Sequence, residues 1–319
     1  MAEVKRFALT LKTPTPFSLE RTVLSHGWVY LAPFRWEHGR LIWIQRGALP
    51  RSCLVEVEQT SLCALKVRVD ASPALTVPEQ GMLRQAIRRV LNLDLDLTAF
   101  GTLARKLDPS IHRLIAAGGG RLLRGTTLFE DLVKTLCTTN ASWAHTEQQV
   151  AHLVHWYGQA GPSGRAFPSP EDLRTVSEYD LRERCRMGYR APFLASLVRK
   201  SLGSSLGNTG TNGATDESTW LADRLPGFGP YARAHAMVLL NRFADVPWDS
   251  EVRGYVRERF KVRTGHDGKM KSALERRLKH WGEWKFLAYK CERMALRSAT
   301  DPSRCRKDRR NGVHALQRG

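Results

Sequence analysis

LPGFGPYARAHAMVLLNRFADVPWDSEV, residues 225–252, opens with a tight turn, Leu225-Pro226-Gly227-Phe228-Gly229, and runs straight into a helical pattern. Gly227 and Gly229 admit positive φ and let another backbone approach closely. Pro230 suits the first turn of a helix, where its missing N–H costs nothing. The spacing predicts a helix over 230–243. Ala232, Ala234, Ala236, Met237, Val238, Leu239, Leu240 and Phe243 leave it apolar on most faces, the mark of a buried helix. Such a helix spans roughly 21 Å at ~1.5 Å per residue. The residues 244–249, extended at ~3.3 Å each, can run back most of that length. Asp249 is therefore expected beside the turn rather than at the far end of the helix.

Free N–H groups at a glycine turn that feeds a helix start make a natural cradle for a phosphate. A carboxylate returned beside that cradle suits an enzyme acting on DNA. Charge points the same way. Lys and Arg number 50 against 31 Asp and Glu, a formal charge of +19. Such an excess favours a polyanionic partner through phosphate neutralisation and steering. The bland reading is a basic protein whose charges are simply solvated. At 319 residues, 42% of them hydrophobic, the chain can bury a large core and form two or three subdomains.

The start of the chain, MAEVKRFALTLK, lacks the apolar core of a signal peptide. No run approaches the ~18–20 apolar residues of a membrane span. The cysteines (Cys53, Cys63, Cys137, Cys185, Cys291, Cys305) form no C-x-x-C pair, and the histidines show no ligand spacing, so no metal site is expected. Reduced thiols in an intracellular protein working on DNA are the expectation.

Residues 1–105 read as a mixed α/β region. Strands are expected at 6–11, 29–31, 41–45, 54–58 and 62–69, with alternation clearest at Leu65, Val67 and Val69. Glu37-His38-Gly39-Arg40 fits a hairpin turn, and Pro78 opens a helix running to Leu91. From about residue 98 the pattern is helical. Leu128, Phe129, Leu132, Val133, Leu136 and Cys137 form one stripe of a helix ending near Thr138-Thr139-Asn140. A second helix is expected over 144–156, and helix starts at Ser169 and Ser177. A boundary falls at Gly188-Tyr189-Arg190-Ala191-Pro192. GSSLGNTGTNGAT (203–215) reads as a flexible linker before a helix at 216–224, with a loop near the substrate as its other reading. Helices are expected at 250–260, 270–281 and 284–296. The basic stretch from Arg297 lacks an apolar period and is expected to be disordered.

LPGFGPYARA…VPWDSEVR resembles the hairpin, Gly/Pro-rich loop and catalytic Asp of the helix-hairpin-helix (HhH-GPD) DNA glycosylase superfamily, and is similar to its 3-methyladenine and 8-oxoguanine DNA glycosylases. A G-x-G alone is a weak signal. L-P-G-x-G, the apolar helix and P-x-D at this distance form a strong one. FSLERTVLSHGWVYLAPFRW (17–36) is similar to the N-terminal sheet of the same enzymes, with Trp28, Phe34 and Trp36 read as sheet core. The resemblance covers residues 128–293 well and the first 105 loosely. It implies an α+β, mainly α-helical fold. An N-terminal antiparallel β-sheet subdomain over 1–105 would precede a two-lobed helical domain over 106–296, with the hairpin at 225–229 and a basic tail over 297–319. The implied partner is double-stranded DNA containing a damaged base, bound by a monomer. Alkylated purine is the first expected substrate and oxidised purine the second. Some relatives hold an iron–sulfur cluster on four closely spaced cysteines, which Cys291 and Cys305 cannot supply. No cofactor is otherwise expected. A monovalent cation at the hairpin carbonyls is implied by the resemblance alone.

Hydrolysis of an N-glycosidic bond passes through an oxocarbenium-like sugar. A carboxylate near the anomeric carbon stabilises that cation and can orient or deprotonate water. Asp249, at a helix N-terminus, is expected to be kept ionised by the helix dipole. Its other reading is a plain N-cap, with Ser250 and Glu251 completing the first turn. On spacing alone the two stand level, and the resemblance favours catalysis. Bifunctional relatives carry a Schiff-base Lys two residues after the second Gly. Tyr231 holds that position here, which implies a monofunctional hydrolase, with Tyr231 lining the base pocket or simply packing.

A glycosylase extrudes its target base and fills the gap left behind. LCTTNASW (136–143) resembles the 8-oxoguanine glycosylase segment whose first Asn enters the duplex, here Asn140. Gly188-Tyr189-Arg190-Ala191 is similar to the same family's G-Y-R-A, in which Tyr wedges between bases and Arg reads the orphaned base. Without the resemblance these are a helix end and a turn. His145 stands where that family has a second orphan-reading Arg, which argues against a strict 8-oxoguanine:cytosine preference. Lys134, Arg199 and Lys200 are phosphate contacts or solvated charge. Trp284 and Tyr289, with Phe286, lie on a late helix and either stack on the base or belong to the core. Two alternatives stay open: a non-catalytic DNA-binding protein with this fold, and a bifunctional glycosylase/lyase using another Lys.

Overall fold

The structure, a computed structural model, describes residues 4–47, 49–203, 225–261 and 267–300, the side chains of 297–300 excepted. The expected helix at 216–224 and most of the expected linker and tail lie outside the described residues.

Strands β1 (Lys5–Lys12), β2 (Arg35–Glu37), β3 (Arg40–Gln45), β4 (Cys53–Ser61) and β5 (Ala64–Ala71) form one antiparallel sheet in the order β1-β5-β4-β3-β2. Alternation sets its faces. Leu9, Leu41, Trp43, Val55, Val57, Val67 and Val69 are buried on one side. The other side carries ion pairs: Arg40 with Glu56 (3.0 Å), Arg68 with Glu58 (2.8 Å) and Arg6 with Asp70 (3.1 Å). Half-exposed pairs of this kind contribute at most about 1 kcal/mol each, so burial on the inner face holds the sheet. The turn at His38 (φ 50°) and Gly39 (φ 76°) matches the expected hairpin. The strand expected at 29–31 is instead part of a 3₁₀ turn, Gly27–Tyr30. Tertiary bonding overrides local preference there, because Trp28 Nε1 donates to the buried Asp131 Oδ1 at 2.9 Å. β5 starts at Ala64, since Leu62 and Cys63 make the turn before it.

The helices are α1 (Leu19–Val23), α2 (Val77–Val90), α3 (Thr98–Leu107), α4 (Pro109–Ala116), α5 (Leu128–Thr138), α6 (Trp143–Tyr157), α7 (Glu178–Glu183), α8 (Ala191–Leu202), α9 (Pro230–Leu239), α10 (Ser250–Phe260), α11 (Asp267–Leu278) and α12 (Lys285–Thr300). The fold is thus α+β and mainly helical, with the sheet first. Thr76 and Glu79 form a complete capping box at α2. Ser169 and Asp172 exchange the bonds of such a box (2.8 and 3.3 Å) but only turns follow, so the helix expected there is absent. α9 ends before the expected 243, with Asn241 left-handed at φ 62°. The return over 244–249 bends at Ala244 and Asp245 rather than forming a strand. α12 runs past Arg297 to Thr300.

The described residues partition into two compact units. One takes those of Met1–Leu95 and Arg121–Asn241, the other those of Asp96–Gly120 and Arg242–Gly319. In the first unit, Leu83 and Ile87 of α2, Leu132 and Leu136 of α5 and Leu239 of α9 join the sheet's inner face in one apolar cluster. A break at residue 105 therefore does not separate compact units. In the second unit, Phe100 of α3 packs on Trp281 and Trp284 (5.5 Å each), and α4 lies against α12.

Candidate active site and nucleic-acid interface

The hairpin turn belongs to the first unit. Gly227 has φ 84°, and a Cβ there would lie 2.7 Å from the Phe193 ring, so glycine is required on two counts. Phe228 N–H donates to the Leu225 carbonyl at 3.1 Å and closes the turn. Gly229 is different. Its φ is −70°, and a Cβ would meet open space. Packing within the chain does not call for glycine at 229. What glycine gives is clear approach to the start of α9, where the N-cap residue has no side chain to cap the helix. Such a helix end suits an anion.

Contacts lead from that turn to the two loops singled out in the sequence. Phe193 of α8 packs edge-on to Tyr189 at 6.3 Å, and Arg190 lies over the Tyr189 ring at 4.5 Å. Tyr189 Oη donates to the Thr139 carbonyl at 3.3 Å, and Arg190 Nη2 donates to the same carbonyl. Asn140, the next residue, is exposed and left-handed at φ 47°. Gly227, Asn140, Tyr189 and Arg190 are thus joined through Phe193 and Thr139. Tyr189 is 52% exposed, but Arg190 is only 4% exposed. In this state Arg190 supports the Tyr189 ring and the 138–140 loop rather than reaching outward.

Tyr231, on the first turn of α9, stacks on His235 one turn later (centroids 5.9 Å, interplanar angle 29°) and shares a 3.3 Å hydrogen bond with Thr138 Oγ1. The row continues through Trp28 (5.1 Å from His235) to His26 (4.9 Å from Trp28). Asp131 fixes Trp28 and also accepts from Gly125 N (2.7 Å) and Arg89 Nη1 (3.0 Å). Burial opposes ionisation of Asp131, but Arg89, Arg124 and these donors outweigh it and hold the carboxyl below its ordinary value.

Lys134 makes no phosphate contact. It is fully buried, 2.6 Å from Glu130 Oε1 and 4.6 Å above the Phe34 ring.

Asp249 belongs to the second unit. It is the N-cap of α10, with Oδ1 accepting Val252 N–H at 2.7 Å. The helix start does not have the last word on its charge. Burial pushes the carboxyl above its ordinary value, Glu251 adds to that, and the first-turn N–H groups and Lys290 oppose it without prevailing. Burial thus outweighs the helix start in the direction of the shift. A raised carboxyl is a stronger base than an ordinary one. The segment around it is pinned: Trp248 Nε1 donates to Asp267 Oδ2 at 3.1 Å and Arg253 Nη2 to the same oxygen at 2.8 Å.

Trp284 is partly buried and packs on Phe100 (5.5 Å) and Phe243 (5.9 Å). Tyr289 is 2% exposed, with Tyr255 edge-on at 5.0 Å, so its ring has no open face to offer a base. Sequence reading missed His235, whose signal is i+4 spacing from Tyr231 on α9, and Phe193, which no local pattern marks. Among the described residues no group of three or more His, Cys, Asp or Glu could hold a metal ion, and no helix is long and apolar enough to cross a membrane.

This is a fold that DNA glycosylases share. The 3-methyladenine DNA glycosylase from Archaeoglobus fulgidus superposes with a TM-score of 0.68 at 16% identity, over 90% of this chain and 98% of that one. The Clostridium acetobutylicum 8-oxoguanine glycosylase/lyase, bound to double-stranded DNA with cytosine opposite 8-oxoguanine, gives 0.62 at 17% identity, over 92% and 98%. MBOgg1 with a low-affinity DNA ligand gives 0.61 at 17% identity, over 92% and 99%. No protein-family model and no curated protein matches the chain.

Proposed function

We propose that this chain is a base-excision-repair DNA glycosylase that binds duplex DNA, flips out a damaged base and hydrolyses its N-glycosidic bond with Asp249. The observation that carries the proposal is the partly buried carboxylate of Asp249 at the N-cap of α10, in a fold that DNA glycosylases share. The start of α9 behind Gly229 would receive a backbone phosphate. The Leu225 and Gly229 carbonyls accept from Phe228 and Arg233, and their remaining lone pairs would suit a monovalent cation that supplies positive charge for that phosphate. Tyr189, exposed beside Asn140, would enter the stack as the base leaves it. Asp249 would then stabilise the oxocarbenium-like sugar and take a proton from the attacking water.

Tyr231 offers a phenol where a lyase needs an amine, which supports monofunctional hydrolysis. The stacked Tyr231–His235 pair supports an alkylated purine as first substrate, since an electron-deficient base gains most from an aromatic wall. An oxidised purine is the second choice. The test is base release under single turnover, with products read before and after alkali and with borohydride present. Release with strand breaks only after alkali is expected. A borohydride-trapped covalent complex would overturn the monofunctional reading. Tight DNA binding without release would make the chain a binding module.

A further inference from the structure

Gly27 is a glycine for a reason outside its own backbone. It is not among the left-handed glycines. Yet a Cβ built on it would lie 2.3 Å from Trp143 Cη2, 2.5 Å from Cζ2 and 3.1 Å from Cζ3. Any larger residue would meet the far end of the Trp143 indole. The indole nitrogen is held as well: Nε1 donates to Glu147 Oε1 at 2.7 Å, one turn on along α6. Fixed at both places, the residue is still 41% exposed. The result is a rigid aromatic plate at the protein surface.

Its surroundings say what the plate receives. Trp143 stands three residues after the exposed, left-handed Asn140. Back along the chain, Thr138 Oγ1 shares a 3.3 Å hydrogen bond with Tyr231 Oη, and the Thr139 carbonyl accepts from Tyr189. Across the contact with Gly27, the neighbouring His26 and Trp28 continue the aromatic row from Tyr231 and His235. Two separate routes thus tie Trp143 to the Tyr231–His235 pair, and one of them passes the exposed Tyr189.

We propose that Trp143 is a base-stacking residue: seated on Gly27, its indole receives the base of a nucleotide extruded from the duplex, while Tyr189 fills the space left in the stack. The proposal rests on the reading of the chain as a base-flipping glycosylase. Indole carries a single hydrogen-bond donor, and Glu147 takes it. Trp143 therefore has no polar means of reading a base edge. Stacking needs only a π-face, which every base has. Trp143 holds the extruded base and leaves its identity to other residues.

The test is DNA affinity of the full chain in the Asp249→Asn background, which keeps the base attached. The probes are duplexes carrying 7-methylguanine, hypoxanthine or 8-oxoguanine, the same duplex undamaged, and one with a tetrahydrofuran abasic site, where a nucleotide can be extruded without a base. Trp143→Ala is expected to weaken binding to every lesion duplex that the parent prefers by roughly ten-fold or more, and to leave the undamaged and abasic duplexes within about two-fold. Trp143→Phe is expected to keep most of the affinity. Gly27→Ala, which drives the ring off its seat, is expected to reproduce the loss when Trp143 is present and to add nothing in Trp143→Ala. A misfolded protein would instead weaken on all duplexes alike. Unchanged lesion affinity in Trp143→Ala, or a parent with no preference for any lesion, would overturn the proposal. An equal loss on the abasic duplex would also overturn it, because Trp143 would then contact the duplex rather than the extruded base. Base release by the chain with Asp249 intact is read separately. If it is absent while the lesion preference still depends on Trp143, the hydrolytic reading fails and the stacking site stands.

Discussion

Asn92 and Asn241, 149 residues apart, hold each other by two side-chain hydrogen bonds: Asn92 Nδ2 donates to Asn241 Oδ1 at 2.8 Å and Asn241 Nδ2 donates to Asn92 Oδ1 at 3.0 Å. Both are left-handed, at φ 52° and 62°. Asn92 follows α2 and Asn241 is the last residue of the first unit, from which the chain continues to Asp249. Arg121, where the chain rejoins that unit, donates to the carbonyls of Asn92 (2.7 Å) and Leu95 (2.6 Å). These bonds end α9 and fix the chain's exit.

Asn241→Ala removes both amide bonds and puts an alanine Cβ in the left-handed region. A loss of about 2 kcal/mol is expected, and roughly half that for Asn241→Gly, which keeps the backbone at ease. Urea unfolding checks it. Three curves with one midpoint would contradict the role given to the clasp.

Lys134 and Glu130 are both 0% exposed, and Glu130 Oε2 also accepts from Thr126 N and Oγ1 at 2.7 Å each. Lys134→Ala strands a buried carboxylate and is expected to cost about 3–5 kcal/mol. Lys134→Met with Glu130→Gln is expected to recover most of that, because the Thr126 donors keep an acceptor. The salt dependence of DNA binding is expected to be that of wild type in the double variant. A shallower slope would return Lys134 to the phosphate contacts.

Asp249 has a folded-state proton affinity above its unfolded one. The folded chain therefore holds this proton more tightly, and stability from the group declines as pH rises from the ordinary Asp range, near ~3.9, through the raised value. At neutral pH the ionised carboxyl is a cost. Asn caps helices as well as Asp does. Asp249→Asn is expected to abolish base release while its Tm at pH 7 equals or exceeds that of wild type, with the gap closing in acid. A lower Tm at pH 7 would contradict this balance of terms.

Tyr189, half exposed, and Arg190, buried, separate by measurement. Tyr189→Ala is expected to change stability by less than about 0.5 kcal/mol and to slow single-turnover release roughly ten- to hundred-fold, the range of one lost stacking contact. Arg190→Ala is expected to lower Tm, because the Thr139 carbonyl loses a charged donor. Unchanged release in Tyr189→Ala would remove it from the intercalating role.

What was legible in the sequence was local. Glycine and proline chemistry marked the turn at 225–229, and period-two alternation marked β4 and β5. Pro78 marked α2, and the capping Ser177 marked α7. What was hidden depends on partners far along the chain. Trp28 sits in a 3₁₀ turn because Asp131, 103 residues on, takes its indole N–H. Lys134 reads as a phosphate contact or solvated charge until Phe34 and Phe167 close over it. Asn241 reads as mid-helix until Asn92 is beside it. The direction of the Asp249 shift was hidden because a helix start is visible in sequence and burial is not.

The most direct measurement is single-turnover base release by wild type and Asp249→Asn on duplexes carrying 3-methyladenine, 7-methylguanine, hypoxanthine, 8-oxoguanine or uracil, with free base and strand breaks quantified separately. Wild type is expected to release at least one damaged purine, an alkylated one before 8-oxoguanine. Asp249→Asn is expected to bind the same duplex and release it at least ~100-fold more slowly. Equal release by the two proteins, or none by either despite tight binding, would contradict Asp249 as the carboxylate of base release.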